Sequence, residues 1–160
     1  MNEQLKNLYS SKWDKLSEML HYFNFDEDND PDDTENKATC PLLIKTDEEY
    51  ANADLKVMFF GQETNEWHCT FEEGIDIEEI VNVYDAFYIN KGYESYRSYF
   101  WYYIRNLRKM KSDKTIGLIW NNVFKIGKHI AGTPQEGLQK YTLDYFNVIP
   151  QEIETLKPNV

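Results

Sequence analysis

A chain of 160 residues is long enough for one domain with a sizeable core, and its 41% hydrophobic and 16% aromatic content excludes a wholly disordered polymer. The net charge of −11 excludes a uniformly basic nucleic-acid binder. That charge is unevenly spread: residues 1–90 carry 22 acids and 6 bases, whereas residues 91–160 carry 6 acids and 11 bases, so the two halves present different faces to a charged partner.

From the N-terminus, Leu5, Leu8 or Tyr9, Trp13, Leu16 and Leu20 recur at helical spacing, which predicts an amphipathic helix over residues 2–23 with a core-facing stripe. Residues 24–37 read as a solvated acidic loop. Asp26, Asp28 and Asp30 alternate as calcium ligands do. Pro31 then stands where such a loop needs Gly, and Lys37 where it needs a bidentate Glu. Cys40 and Cys69 are the only cysteines; their number and spacing suggest neither a disulfide framework nor a zinc site, and a reducing, cytoplasmic setting is the expectation. The opening Met-Asn-Glu-Gln lacks the basic and apolar parts of a secretion signal. No stretch reaches the ~18 apolar residues of a membrane-spanning helix, and no membrane partner is expected. Residues 41–44 are a short apolar segment, packed on a sheet or forming its edge, and residues 47–51 a helical turn.

The stretch Lys56-Val57-Met58-Phe59-Phe60-Gly61 predicts a buried central strand that Gly61 ends. Gln62, Glu63, Thr64 and Asn65 follow at once. In an open α/β sheet, ligands bind just beyond the carboxyl ends of strands, so this polar cluster is a candidate site. Residues 76–90 are expected to be helical, and residues 93–111 a long aromatic helix with Phe100, Trp101, Ile104 and Leu107 in the core. Across residues 91–128 nine bases (Lys91, Arg97, Arg105, Arg108, Lys109, Lys111, Lys114, Lys125 and Lys128) face only two acids; basic residues mixed with aromatics can hold a nucleic-acid backbone and stack bases, and DNA, including single-stranded DNA, is the expected partner. Thr115-Ile116-Gly117-Leu118-Ile119-Trp120 is a second buried strand, ending in Asn121-Asn122, with a loop or short helix after it. About 55 residues of mainly helical chain separate the two strands, ample for a parallel crossover. As parallel neighbours they put Glu63 and Asn121 in one crevice. Residues 141–148 fit strand or helix equally, and residues 149–157 read as a helix with Pro150 at an early position. The apolar residue after Pro158 reads as the start of a further strand, which implies a C-terminally incomplete fold and leaves a second copy of the chain as one way to complete the sheet.

Two motifs resemble the uracil-DNA glycosylase superfamily. Val57-Met58-Phe59-Phe60-Gly61-Gln62-Glu63-Thr64-Asn65 is similar to that family's strand and Gly-Gln-Asp-Pro-Tyr-His loop. Gly117-Leu118-Ile119-Trp120-Asn121-Asn122-Val123 is similar to the strand whose terminal Asn reads the uracil edge. The resemblance covers roughly residues 41–160. It implies a three-layer α/β/α sandwich with a mostly parallel central sheet, preceded by an N-terminal helix and acidic loop over residues 1–40 that join it in one compact unit. It implies base recognition and hydrolytic N-glycosidic cleavage in DNA, without metal or cofactor. Gly61 and Gln62 match the family directly, and Glu63 takes the place of the water-activating Asp. Thr64 replaces Pro, Asn65 falls where a Tyr blocks the thymine methyl, and Glu66 replaces His. Asn121 is the match to the base-reading Asn, with Asn122 the alternative; Trp67 or Phe71 supplies the stacking aromatic. The family's later His-Pro-Ser loop has no counterpart in the sequence. The alternatives are a non-catalytic base-binding module on the same fold, and an interaction protein whose acidic N-terminal half mimics DNA, which the seven acids across residues 26–35 motivate.

Overall fold

Residues 1–25, 35–63, 66–130, 132–134 and 136–160 are described by a computed structural model of the chain. Most of the acidic loop, with its calcium-like spacing, lies outside the described residues, as do Thr64 and Asn65. Helix α1 (Asn2–Phe25) buries Leu5, Tyr9, Leu16, Leu20 and Asn24 at intervals that keep one face inward, and Tyr9 rather than Leu8 takes the inward position. At its end Asn24 binds strand β1 (Ala38–Pro41): its amide N–H donates to Ala38 O and Phe71 O (3.0 and 2.9 Å), and its Oδ1 accepts from Ala38 N (2.7 Å). The apolar segment that follows is coil, with Leu42, Leu43 and Ile44 fully buried. Helix α2 (Glu48–Asn52) starts where the Asp47 carboxylate accepts from Tyr50 N (2.7 Å).

Strand β2 (Leu55–Gly61) pairs in parallel with β3 (Ile116–Asn122), from Leu55 opposite Ile116 to Gly61 opposite Asn122. The short strand β4 (Ile126–Lys128), in the stretch expected to be loop or helix, runs antiparallel to β1. The chain is therefore a mixed helix and strand fold. Among the described residues its strands form two two-stranded sheets, one of them parallel, rather than a single larger, mostly parallel sheet. β3 is buried from Gly117 onward, but in β2 only Met58 is buried and Phe60 is 40% exposed. Among the described residues the outer edge of β2 pairs with residues 159 and 160: Asn159 N donates to Lys56 O (2.7 Å), and Val160 O accepts from Met58 N (2.9 Å).

Helix α3 (Ile77–Tyr84) is capped by Asp76 and runs into a π-helical turn, Asp85–Ile89. The Tyr84 and Tyr88 hydroxyls donate to Trp120 O and Leu118 O (both 2.8 Å). Those carbonyls point away from β2, so two side chains satisfy two backbone acceptors on the outer edge of β3. The long aromatic helix expected over residues 93–111 is broken. A 3₁₀ turn (Gly92–Ser95) comes first, and helix α4 (Tyr99–Arg108) begins only after Ser98, whose hydroxyl accepts from Trp101 N (3.4 Å). Trp101 and Ile104 are buried, Phe100 is half-buried, and Leu107, expected in the core, is exposed. Helices α5 (Glu136–Tyr145) and α6 (Ile149–Leu156) follow, with Pro150 in the first turn of α6. No described helix is long and apolar enough to cross a membrane.

A fully buried polar cluster joins these elements. Lys125 Nζ donates to Glu152 Oε1 and Asn121 Oδ1 (both 2.8 Å). Asn121 Nδ2 donates to Glu152 Oε2 (2.8 Å), and Tyr9 OH to Glu152 Oε1 (2.6 Å). The same Tyr9 oxygen accepts from Ile44 N (3.2 Å). Burial lowers the Lys125 pKa against the opposing pull of Glu152, and burial beside Glu152 keeps the Tyr9 phenol protonated well above its usual range. Because removing one partner strands a buried charge, Glu152→Gln should cost about 3–5 kcal/mol of stability, read from urea unfolding, and Lys125→Met in the same chain should recover part of it. A single-variant loss below ~1 kcal/mol, the range of exposed pairs, would show that this pair is not structurally decisive.

Candidate functional site

A cleft of about 520 Å³ opens at the carboxyl ends of β2 and β3. Gly61, Gln62 and Glu63 come from the end of β2, and Trp120 and Asn122 from the end of β3. Glu66, Trp67 and His68 form one wall. The other is Val83 and Phe87 with Tyr96, Ser98, Phe100 and Trp101. Trp120 is the centre of the aromatic lining: Trp67 and Trp101 meet it edge-on at 5.5 and 5.0 Å, and Tyr84 stacks behind it at 5.9 Å. Such contacts hold the rings in defined orientations.

Polar groups in this lining are left over. Glu63 Oε2, Trp67 Nε1 and Asn122 Nδ2 are all buried and have no hydrogen-bond partner among the described residues. Buried polar atoms are normally paired, so three orphans on residues lining one cleft ask for a ligand that supplies two acceptors and a donor. The Asn122 amide is held from behind: the Trp120 indole N–H donates to its Oδ1 at 2.9 Å, and its Nδ2 is left unpartnered. Gly61 makes room for it. A Cβ on Gly61 would stand 2.5 Å from Asn122 Oδ1, closer than real side chains approach. Burial raises the Glu63 carboxyl above its usual range, while Lys128 pulls it down. Neither Gln62 nor His68 is an orphan: Gln62 Nε2 donates to Thr133 Oγ1 (2.8 Å), and the His68 ring pairs with Glu79 (2.8 Å).

Of the residues predicted from sequence, the cleft gathers Gly61, Gln62, Glu63, Trp67 and Asn122. Two others are elsewhere. Asn121 does not face Glu63; successive strand residues point to opposite faces, and Asn121 is committed to Glu152 and Lys125 on the far side of β3. Asn122, the alternative, is the cleft residue. Phe71 is fully buried in the core, edge-on to Trp13 at 5.9 Å, because its segment pairs with β1 below the cleft wall. The sequence reading missed Trp120, Phe87, Tyr96 and His68 as lining residues. Trp120 carried a signal: it lies two residues before Asn122 and so shares its face of the strand. The basic stretch is also trimmed. Lys125 is buried in its ion pair, and Arg108 lies over the Tyr88 and Tyr93 rings and pairs with Glu49. Lys91, Arg97, Lys109, Lys111 and Lys114 remain exposed.

Comparison with protein families, curated proteins and solved structures finds no match to this chain. The site therefore rests on its own geometry. Gly61→Ala tests it directly: the added methyl must push the Asn122 amide aside, at a cost of ~1–3 kcal/mol typical of overpacking. Tryptophan emission, reporting Trp67 and Trp120, should shift with it. A variant as stable as the parent with unchanged emission would contradict the close approach.

Proposed function

We propose that the cleft binds a nucleobase and that the chain is a uracil-DNA glycosylase-like protein acting by hydrolytic cleavage of the N-glycosidic bond. The observation that carries this reading is the set of three unpartnered polar atoms on residues that line an aromatic cleft at the ends of two parallel strands. A pyrimidine such as uracil presents two carbonyl oxygens flanking an N–H. Asn122 Nδ2 and Trp67 Nε1 supply donors for the oxygens. Glu63 Oε2 supplies an acceptor, for the ring N–H or for the attacking water. Cleavage develops negative charge on the leaving base and positive charge on the sugar; fixed N–H donors stabilise the first and a carboxylate the second. A carboxyl raised by burial is also a better proton acceptor for water than an ordinary one. The reading carries with it a three-layer α/β/α arrangement about the β2–β3 pair. It is supported by the aromatic lining of α4 and the π-helical turn on one face of β3 and by α6 on the other. A cytoplasmic location belongs to the same proposal, since both cysteines are free thiols, which persist in reducing compartments.

The experiment is release of free uracil from single-stranded uracil-containing DNA. Glu63→Gln should lower the rate by ~10²–10⁴-fold, the usual contribution of a general base, while DNA binding persists. Asn122→Ala should weaken both binding and cleavage by ~1–3 kcal/mol, the loss of a buried hydrogen-bond partner. Binding of uracil-containing DNA without any release would reassign the chain to the non-catalytic module. Absence of binding would end the nucleobase reading.

The DNA track that fits this cleft is the outer face of α4 and the turn before it. Tyr96, which also lines the cleft, is 54% exposed, and Tyr99 and Tyr103 are 84% and 63% exposed. Arg97 and Lys109 flank them. Replacing Tyr99 and Tyr103 with Ala should weaken single-stranded DNA binding by ~1–3 kcal/mol per stacked base, and the binding should fall steeply with salt. Unchanged affinity measured by fluorescence anisotropy would remove this face as the track.

A further inference from the structure

The two thiols of the chain meet beside the cleft wall. Cys40 is fully buried in β1, and Cys69 is exposed on the segment that follows Trp67 and His68. The two segments pair as antiparallel backbone: Thr39 bridges Thr70, Cys40 N donates to Cys69 O (3.0 Å) and Phe71 N to Ala38 O (2.9 Å). That register sets Cys40 opposite Cys69 with both side chains on one face, and their Sγ atoms are 3.7 Å apart. Directly opposed residues on paired strands have Cα atoms about 4.5–5.5 Å apart, inside the ~4.4–6.8 Å that a disulfide spans. No group of three or more His, Cys, Asp or Glu that could hold a metal occurs among the described residues, so a shared metal does not account for the pairing.

We propose that Cys40 and Cys69 form an oxidisable dithiol, which a peroxide couples into an intramolecular disulfide that pins the Trp67 and His68 wall of the cleft to β1. The exposed Cys69 reacts first. Its sulfur attacks one peroxide oxygen, the O–O bond breaks, and Cys69 becomes a sulfenic acid as one water leaves. The Cys40 sulfur then attacks the Cys69 sulfur; the S–S bond forms, the S–O bond breaks, and the hydroxyl departs as a second water with the Cys40 proton. The two thiols lose two electrons in all and hydrogen peroxide gains them. Burial pushes both thiols above the usual cysteine range, which lowers the thiolate fraction and slows their attack on peroxide.

Only His68 separates Cys69 from Trp67, a lining residue of the cleft whose Nε1 is unpartnered. The wall segment also carries two non-glycine residues in the left-handed region, Glu66 at φ 48° and His68 at φ 65°. A covalent tie at Cys69 restrains that segment whatever ligand the cleft takes, so the inference stands apart from the base-binding reading.

The test treats the full chain with hydrogen peroxide and compares it with Cys69→Ser, an exposed substitution that leaves the core intact. The expected product is monomeric and lighter by two hydrogens. Its proteolytic peptides are linked through Cys40 and Cys69, the mass change reverses with dithiothreitol, and the variant forms no such link. The urea midpoint of the oxidised chain should rise above that of the reduced chain. A Cys69 that gains oxygens while Cys40 stays reduced, disulfide-linked dimers, or a mass unchanged by peroxide would each overturn the proposal.

Discussion

The buried pair of Lys125 and Glu152 is the constraint on which the rest of the structure depends. Taking two charges out of water costs on the order of several kcal/mol per ion, and only close geometry with further hydrogen bonds offsets it. Here Asn121 bridges the pair, donating to one carboxylate oxygen and accepting from the ammonium, and Tyr9 donates to the other oxygen. The cluster therefore ties α1, β3, the turn before β4 and α6 to a single arrangement. It also reaches the cleft, because Asn121 Oδ1 accepts the backbone N–H of Asn122 at 2.9 Å. The charged cluster on one face of β3 sets the backbone that presents the orphan amide on the other.

The cleft is the product of that strand and of two accommodations to it. Gly61 gives up its side chain so that the Asn122 amide can lie across the β2–β3 pair, and the Trp120 indole holds the amide's oxygen. The aromatic residues around Trp120 then exclude water from the remaining polar atoms. Orphan donors and acceptors are expensive in a dry wall, which is why they read as a site rather than as ordinary core. The same economy explains the tyrosines of α3 and the π-helical turn. Their rings pack in the core while their hydroxyls satisfy two outward carbonyls of β3.

Much of the fold was legible in order along the chain. The apolar stripe of α1, the helical turn over residues 47–51, the helix beginning near residue 76, the two apolar strands and the early Pro150 of α6 are local signals, and the structure carries each of them. Ser98 was legible as a cap in principle, but the run of aromatics across it concealed the break before α4. Strand β4 was not legible because its three residues lack any alternation of their own; β1 recruits them through backbone pairing. In the site, Gly61, Gln62, Glu63 and Trp67 were legible because they follow one strand without interruption. Phe71 was not, since nothing local distinguishes an aromatic that enters the cleft from one that turns under α1.

The sequence by itself determined the mixed helix and strand character, the parallel pairing expected of two apolar strands with a long helical connection, and the polar cluster at their carboxyl ends. These follow from periodicity and chain length, which short-range physics sets. Only the tertiary structure decided between Asn121 and Asn122, buried Lys125 away from its basic neighbours, gave Glu152 the role of counter-ion, and brought Cys40 to Cys69. Each of those outcomes depends on which face of an element meets which distant partner. A strand's alternation says that two asparagines point in opposite directions; only the charge waiting on one side says which of them is left free.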